Sequence, residues 1–152
     1  MPVQSSPVLP QAPKIAVTQF TSSSAVSTVS GSTFTTLYTG GVNGTKITSV
    51  IVSNTSTGAG IEAILTIGST VSGASLFYPV VSVTLASLTS GYDTALLPSN
   101  LFAQTVFPLP IDGDGNPYLF LASTAYTLSV GISSAPQTTG GRVSFMAIGA
   151  DF

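Results

Sequence analysis

In the stretch PLPIDGDGNPYLFLA, residues 108–122, Asp112, Asp114 and Asn116 fall at alternate positions. Oxygen-bearing side chains spaced this way can converge on one hard cation such as calcium. An EF-hand loop opening at Asp112 would need Gly at its sixth position and a bidentate Glu at its twelfth. The chain has Pro117 and Ser123 there, and no helix pattern flanks the stretch. Asp-Gly pairs are ordinary turn formers, and Pro117 would fix the exit into the strand YLFLA. A turn between two strands is therefore expected. Asp112, Asp114 and Asn116 are the one candidate metal set, and no cofactor is expected.

Other chemistry is scarce. The chain has no histidine and no cysteine, which removes Ser/His/Asp and Cys/His nucleophile systems, thiolate metal sites and disulfides. A carboxylate pair for glycoside hydrolysis would have to come from Glu62, Asp93, Asp112, Asp114 and Asp151. With tryptophan absent and the tyrosines scattered, no sugar platform accompanies them, and solvated turn acids are the better account. No glycine loop leads into a helix, so the glycines read as turn glycines. Asn43-Gly44-Thr45 and Asn54-Thr55-Ser56 fit the glycosylation pattern, which arises by chance in a chain so rich in Ser and Thr. Glu62 and Arg142 sit on the polar side of expected strands, facing water or pairing across a subunit boundary. No enzymatic activity is expected.

Composition narrows the class further. A chain of 152 residues fits one domain and can bury its own core. Only 5% of residues are charged, against about 25% in an ordinary soluble domain. Three cations, Lys14, Lys46 and Arg142, cannot neutralise the several phosphates on which nucleic-acid affinity rests. Mean hydropathy is +0.54, yet the longest apolar run, LFYPVV at 76–81, is far short of the ~20 residues of a spanning helix. Neither nucleic acid nor a membrane is expected as partner. The opening MPVQSSPVLPQAPK lacks a basic region followed by an apolar one, so no secretory leader is expected. Serine and threonine supply 44 residues, giving a hydroxylated, nearly neutral surface. Charge, lysine above all, is the usual device that keeps strand edges from pairing with other chains. A β-protein this poor in charge is expected to hide its edges in a permanent assembly.

Along the chain, residues 1–13 read as an extended arm. Pro2, Pro7, Pro10 and Pro13 exclude helix, and Val3, Val8 and Leu9 supply apolar anchors. Pro2, Val3, Val8, Leu9 and Pro10 are the candidate contacts of a strap lying on a neighbouring subunit. From residue 14 to 152 the pattern is a single domain of short period-two runs. IEAILTI (61–67) aligns Ile61, Ala63, Leu65 and Ile67, and YTLSVGI (126–132) sets Tyr126, Leu128, Val130 and Ile132 opposite Thr127, Ser129 and Gly131. RVSFMAI (142–148), VVSVTL (80–85) and KITSVIVS (46–53) behave similarly. Turn segments such as GGVNGT (40–45) and DGDGNP (112–117) separate them, and Asn43-Gly44 is the strongest hairpin signal. Eight or so strands at this spacing predict an all-β antiparallel sandwich or jelly roll with a Pro-rich N-terminal arm.

Three segments together, LYTGGVNGTKITSVIVSNTSTGAGIEAILTI, IDGDGNPYLFLASTAYTLSV and the closing RVSFMAIGADF, resemble small structural proteins of tailed bacteriophages. They are most similar to proteins that decorate or cement the capsid. The resemblance covers residues from about 34 to 152 and rests on turn glycines and strand alternation. It implies a β-sandwich on the virion exterior, assembled in the host cytoplasm and bound as dimers or trimers across junctions of the major capsid protein. Many copies, each adding a modest contact, would then stabilise the closed shell. The alternatives are a head- or tail-fibre component that binds receptor glycans, and a fibre or pilus subunit joined by donor-strand exchange.

Overall fold

The structure, a computed structural model, describes residues 12–27, 33–57, 60–71, 76–87, 98–104, 108–137 and 140–152. Nine strands lie among them: β1 (Ala12–Phe20), β2 (Thr35–Thr39), β3 (Thr45–Asn54), β4 (Glu62–Ser69), β5 (Leu76–Thr84), β6 (Ser99–Asn100), β7 (Leu119–Leu121), β8 (Tyr126–Ile132) and β9 (Val143–Asp151). Among the same residues a 3-10 turn covers Leu101–Gln104. The strands form two antiparallel sheets. One has the order β1-β9-β3-β6, with β7 also pairing β3; the other has the order β2-β8-β4-β5. The all-β sandwich expected from the period-two runs is the fold observed.

The alternation that makes the strands also makes the core. Ile61, Ala63 and Leu65 face Leu128, Val130 and Ile132 on the inner side of one sheet, and all six are buried. Ile47, Val50, Val52, Val143, Phe145 and Ala147 answer them from the other. The Phe20 and Phe145 rings meet edge-on at 5.7 Å, a geometry aromatic pairs favour. Burying a large aliphatic or aromatic side chain stabilises by roughly 1.5–3 kcal/mol, so this inner layer holds the sheets together.

Two features depart from the sequence expectation. Asn43-Gly44 does not close a hairpin: β2 pairs with β8 and β3 with β9, so the turn carries the chain from one sheet to the other. A type I′ turn needs positive φ at both central residues. Here Gly44 alone has it, at 100°, and its amide donates to the Gly41 carbonyl at 3.1 Å. A Cβ on Gly44 would strike the Phe120 ring, so glycine is fixed by close packing as well as by φ.

The second departure is that the middle of the outer face of β4 and β8 is not solvated. Thr66 and Ser129 are fully buried there. Phe34, just ahead of edge strand β2, and Phe77, on edge strand β5, reach inward over the middle strands, and their ring centroids lie 5.3 Å apart. They can approach because Gly131 and Gly68 lie beneath them: an added Cβ would stand 2.8 Å from Phe34 and 3.3 Å from Phe77, respectively. Two phenylalanines thus roof a patch of buried hydroxyl side chains and glycine.

Candidate functional site

The loop that carries Asp112 is a turn, and Asp112 organises it. The Asp112 amide donates to the Asn116 carbonyl at 3.0 Å, and the Gly115 amide to the Asp112 carbonyl at 3.0 Å, with Gly115 at φ 84°. Oδ1 of Asp112 accepts the amides of Asp114 at 3.1 Å and Asn116 at 2.9 Å. Oδ2 accepts the Lys46 ammonium at 2.9 Å. The Lys46 hydrogen bond, and next the Asn116 amide, hold the Asp112 carboxyl below the ordinary carboxylate range. With both oxygens occupied by donors, a cation here would have to displace an ammonium and two amides. Asp114 and Asn116 are exposed, and among the described residues no three His, Cys, Asp or Glu side chains converge.

Lys46 links this turn to an aromatic corner. It stands on the outer face of β3, in register with Phe120 of β7 and Ala150 of β9. Its ammonium lies 4.8 Å from the Tyr118 ring centroid, and the Phe120 and Phe152 rings are 6.0 Å apart. Lys46, Pro110, Asp112, Tyr118, Phe120 and Phe152 line an open hollow of about 450 Å³. Phe120 is 47% exposed, a large apolar surface for a ring at the edge of a sheet. Such an arrangement can stack a flat apolar face against the rings while the ion pair takes hydrogen bonds.

A second charged cluster closes the same end of the sandwich. Lys14 of β1 pairs with Oδ2 of Asp151 on β9, and Oδ1 accepts the Thr45 hydroxyl at 2.5 Å. Thr45 in turn accepts the Gly41 amide at 2.7 Å. The Lys14 hydrogen bond and then that of Thr45 push the Asp151 carboxyl down. The Tyr38 hydroxyl is buried beside this carboxylate without a partner in hydrogen-bond geometry. Burial first, and the Asp151 charge second, push its pKa up to about 12.

The third feature is the outer face of the β1-β9-β3 sheet. Ile15 and Val17 of β1 are 68% and 71% exposed and stand beside Ile148 and Met146 of β9. Ile51 of β3 continues the Met146 row. Val17, Gln19, Ile51, Ser53, Met146 and Pro98 border a shallow groove of about 760 Å³ on this face. A face turned to water in an antiparallel sheet is ordinarily polar at alternate positions; the middle of this one is apolar.

No protein family, curated protein or solved structure matches the chain.

The candidate strap residues Pro2, Val3, Val8, Leu9 and Pro10 lie outside the described residues, as does Asp93. Ala12 and Pro13, assigned by sequence to the arm, are paired within β1, opposite Asp151 and Ala150. Glu62 and Arg142 find partners within the chain: Ser82 donates to Glu62 at 3.1 Å, and Arg142 donates to the Gln19 side chain at 3.4 Å. The corner of Lys46, Tyr118, Phe120 and Phe152 escaped sequence reasoning because residues 46 and 152 come together only through the β3–β9 register. Its one legible signal was the Tyr-x-Phe alternation after Pro117.

Proposed function

We propose that the chain is a non-enzymatic structural protein of a tailed-phage virion, a decoration protein that binds across junctions of the major capsid protein on the capsid exterior. One observation carries this: the outer face formed by Ile15, Val17, Ile51, Met146 and Ile148 is apolar where a solitary sandwich would be polar. Exposed apolar faces of this kind mark surfaces that another protein covers. The two strand orders support reading the sandwich as a jelly roll, an architecture used by capsid and lectin domains. Fold alone does not assign function, so the weight rests on the surface and on the resemblance over residues 34–152.

Light scattering on the purified protein, followed by sedimentation with undecorated capsids, tests the proposal. Saturable co-sedimentation is expected, and substituting Met146 and Ile148 by Ser should weaken it. A protein that stays in the supernatant at every concentration overturns the assignment.

The aromatic corner favours a second reading, a head- or tail-fibre component that binds glycan. Tyr118, Phe120 and Phe152 offer stacking faces and the Lys46–Asp112 pair offers hydrogen bonds. Binding on a glycan array that Phe120→Ala abolishes would favour it over decoration.

A further inference from the structure

Strands at the sheet edges differ in how they are defended against pairing with another chain. β6 and β7 have two and three residues. β2 has five and breaks register between Thr36 and Tyr38. β5 breaks register where it meets Leu65 and Thr66, and it contains Pro79. Short, bulged or proline-bearing edges are the known means of preventing edge-to-edge association. β1 is built otherwise. Its nine residues run in unbroken register with β9, from Ala12 opposite Asp151 to Phe20 opposite Val143. Pro13 guards only its start. Its one charge, Lys14, is tied to Asp151 of the same chain. Ile15 and Val17 stand largely exposed on its outer side.

We propose that β1 pairs antiparallel with β1 of a second copy about a two-fold axis at Ala16, joining the two β1-β9-β3 sheets into one. The occupant follows from self-complementarity, which an isologous contact requires. Antiparallel pairing centred on Ala16 sets Ile15 against the partner's Val17 and Lys14 against the partner's Thr18. Apolar residues directly opposite stabilise a pair, and like charges directly opposite destabilise it. The two lysines come no nearer than about 14 Å along the strands at ~3.4 Å per residue, beyond the ~8 Å screening length at physiological salt. The apolar rows then run across the axis from one copy into the other. This deepens the assembly reading above and rests on it for the premise that the chain works as an oligomer.

The chain has no cysteine, so one introduced cysteine reports on one register. Light scattering should give twice the monomer mass of 15.3 kDa, and Val17→Lys, at an exposed position, should halve it with the circular dichroism unchanged. Ala16→Cys should form a disulfide-linked dimer on mild oxidation, whereas Ala12→Cys, eight residues from its counterpart in this register, should not. A wild-type monomer or trimer overturns the two-fold pairing, and Ala12→Cys linking as readily as Ala16→Cys overturns the register. A dimer that survives Val17→Lys but is lost on deleting residues 2–11 would assign the contact to the N-terminal segment and overturn the proposal. Capsid co-sedimentation is scored separately. Binding with no dimer sinks this inference alone, and a dimer that ignores capsids sinks the decoration reading alone.

Discussion

Lys14 on the first strand and Asp151 on the last form an ion pair that Thr45 completes from β3. Three strands of one sheet are thereby tied at a single carboxylate, one position from Lys46 and its aromatic corner by the β3–β9 register. Of the eight formal charges in the chain, Lys14, Lys46, Asp112 and Asp151 are spent on these two pairs. Scarce charge is used here to fix strand ends.

Asp151 should therefore set part of the acid stability. Its folded-state pKa lies below the ordinary value near 3.9. The folded state then binds fewer protons than the unfolded state in that window. The contribution is complete above the unfolded pKa and is lost as pH falls through the folded one. Thermal melts from pH 7 to pH 2 should show Asp151→Asn flattening the acid limb, and Asp112→Asn, which removes the other lowered carboxyl, should flatten it as well. Asp151→Ala should cost about 2 kcal/mol at pH 7, the order expected for losing a charge-assisted hydrogen bond together with its ion pair. An acid limb unchanged in Asp151→Asn would show that the pair contributes nothing.

Tyr38 should act with the opposite sign at the alkaline end. Its pKa is raised to about 12, above the ordinary value of about 10. The folded state holds the proton longer, so this contribution is complete below pH 10 and disappears as pH rises toward 12. Absorbance at 295 nm should lose a component titrating near 12 in Tyr38→Phe. At pH 7 the same substitution should change stability by less than about 1 kcal/mol, because the hydroxyl lies beside the Asp151 carboxylate without reaching good hydrogen-bond geometry. A loss well above that would mean the hydroxyl is hydrogen-bonded after all.

The strands were legible in the sequence wherever one face was apolar and the other polar. Ala63, Leu65, Leu128 and Val130 needed no more than period two. What could not be read is where the polar face meets a cover. Thr66, Gly68, Ser129 and Gly131 look like solvent-side residues, yet Phe34 and Phe77, more than forty positions apart, close over them. Asn43-Gly44 misled for a related reason. A turn signal reports that the chain reverses, but the sheet it enters is decided by distant partners, here Leu121 and Asp151 opposite Thr45.

Gly44 and Gly60 separate strain from collision. Both have positive φ, 100° and 77°. Each should suffer the cost of an L-residue in that region on mutation to Ala, about 1–2 kcal/mol. Beyond this, Gly44→Ala drives a methyl into the Phe120 ring, whereas nothing lies within 4 Å of the position at Gly60. Overpacking adds roughly 1–3 kcal/mol, so urea denaturation should rank Gly44→Ala clearly below Gly60→Ala. Combining it with Phe120→Ala should recover most of the difference. Equal losses in the two glycine variants would remove the Phe120 contact as the reason for glycine at 44.

The roof over β4 and β8 makes the most direct demand on the fold. Phe34 and Phe77 approach from opposite edge strands and meet over Thr66 and Ser129. Removing either ring uncovers the same two buried hydroxyl side chains and the same glycine floor, so the second removal has less left to destroy. A double-mutant cycle of Phe34→Leu and Phe77→Leu should thus give losses smaller together than summed. The coupling should be about 0.5–1.5 kcal/mol, the range for an aromatic pair beyond its burial. Gly131→Ala would drive a Cβ into the buried Ser27 hydroxyl and place it 2.8 Å from Phe34, so it should cost more than removal of the Phe34 ring alone. Strict additivity would mean that the two rings cover the sheet independently and that their meeting stabilises nothing.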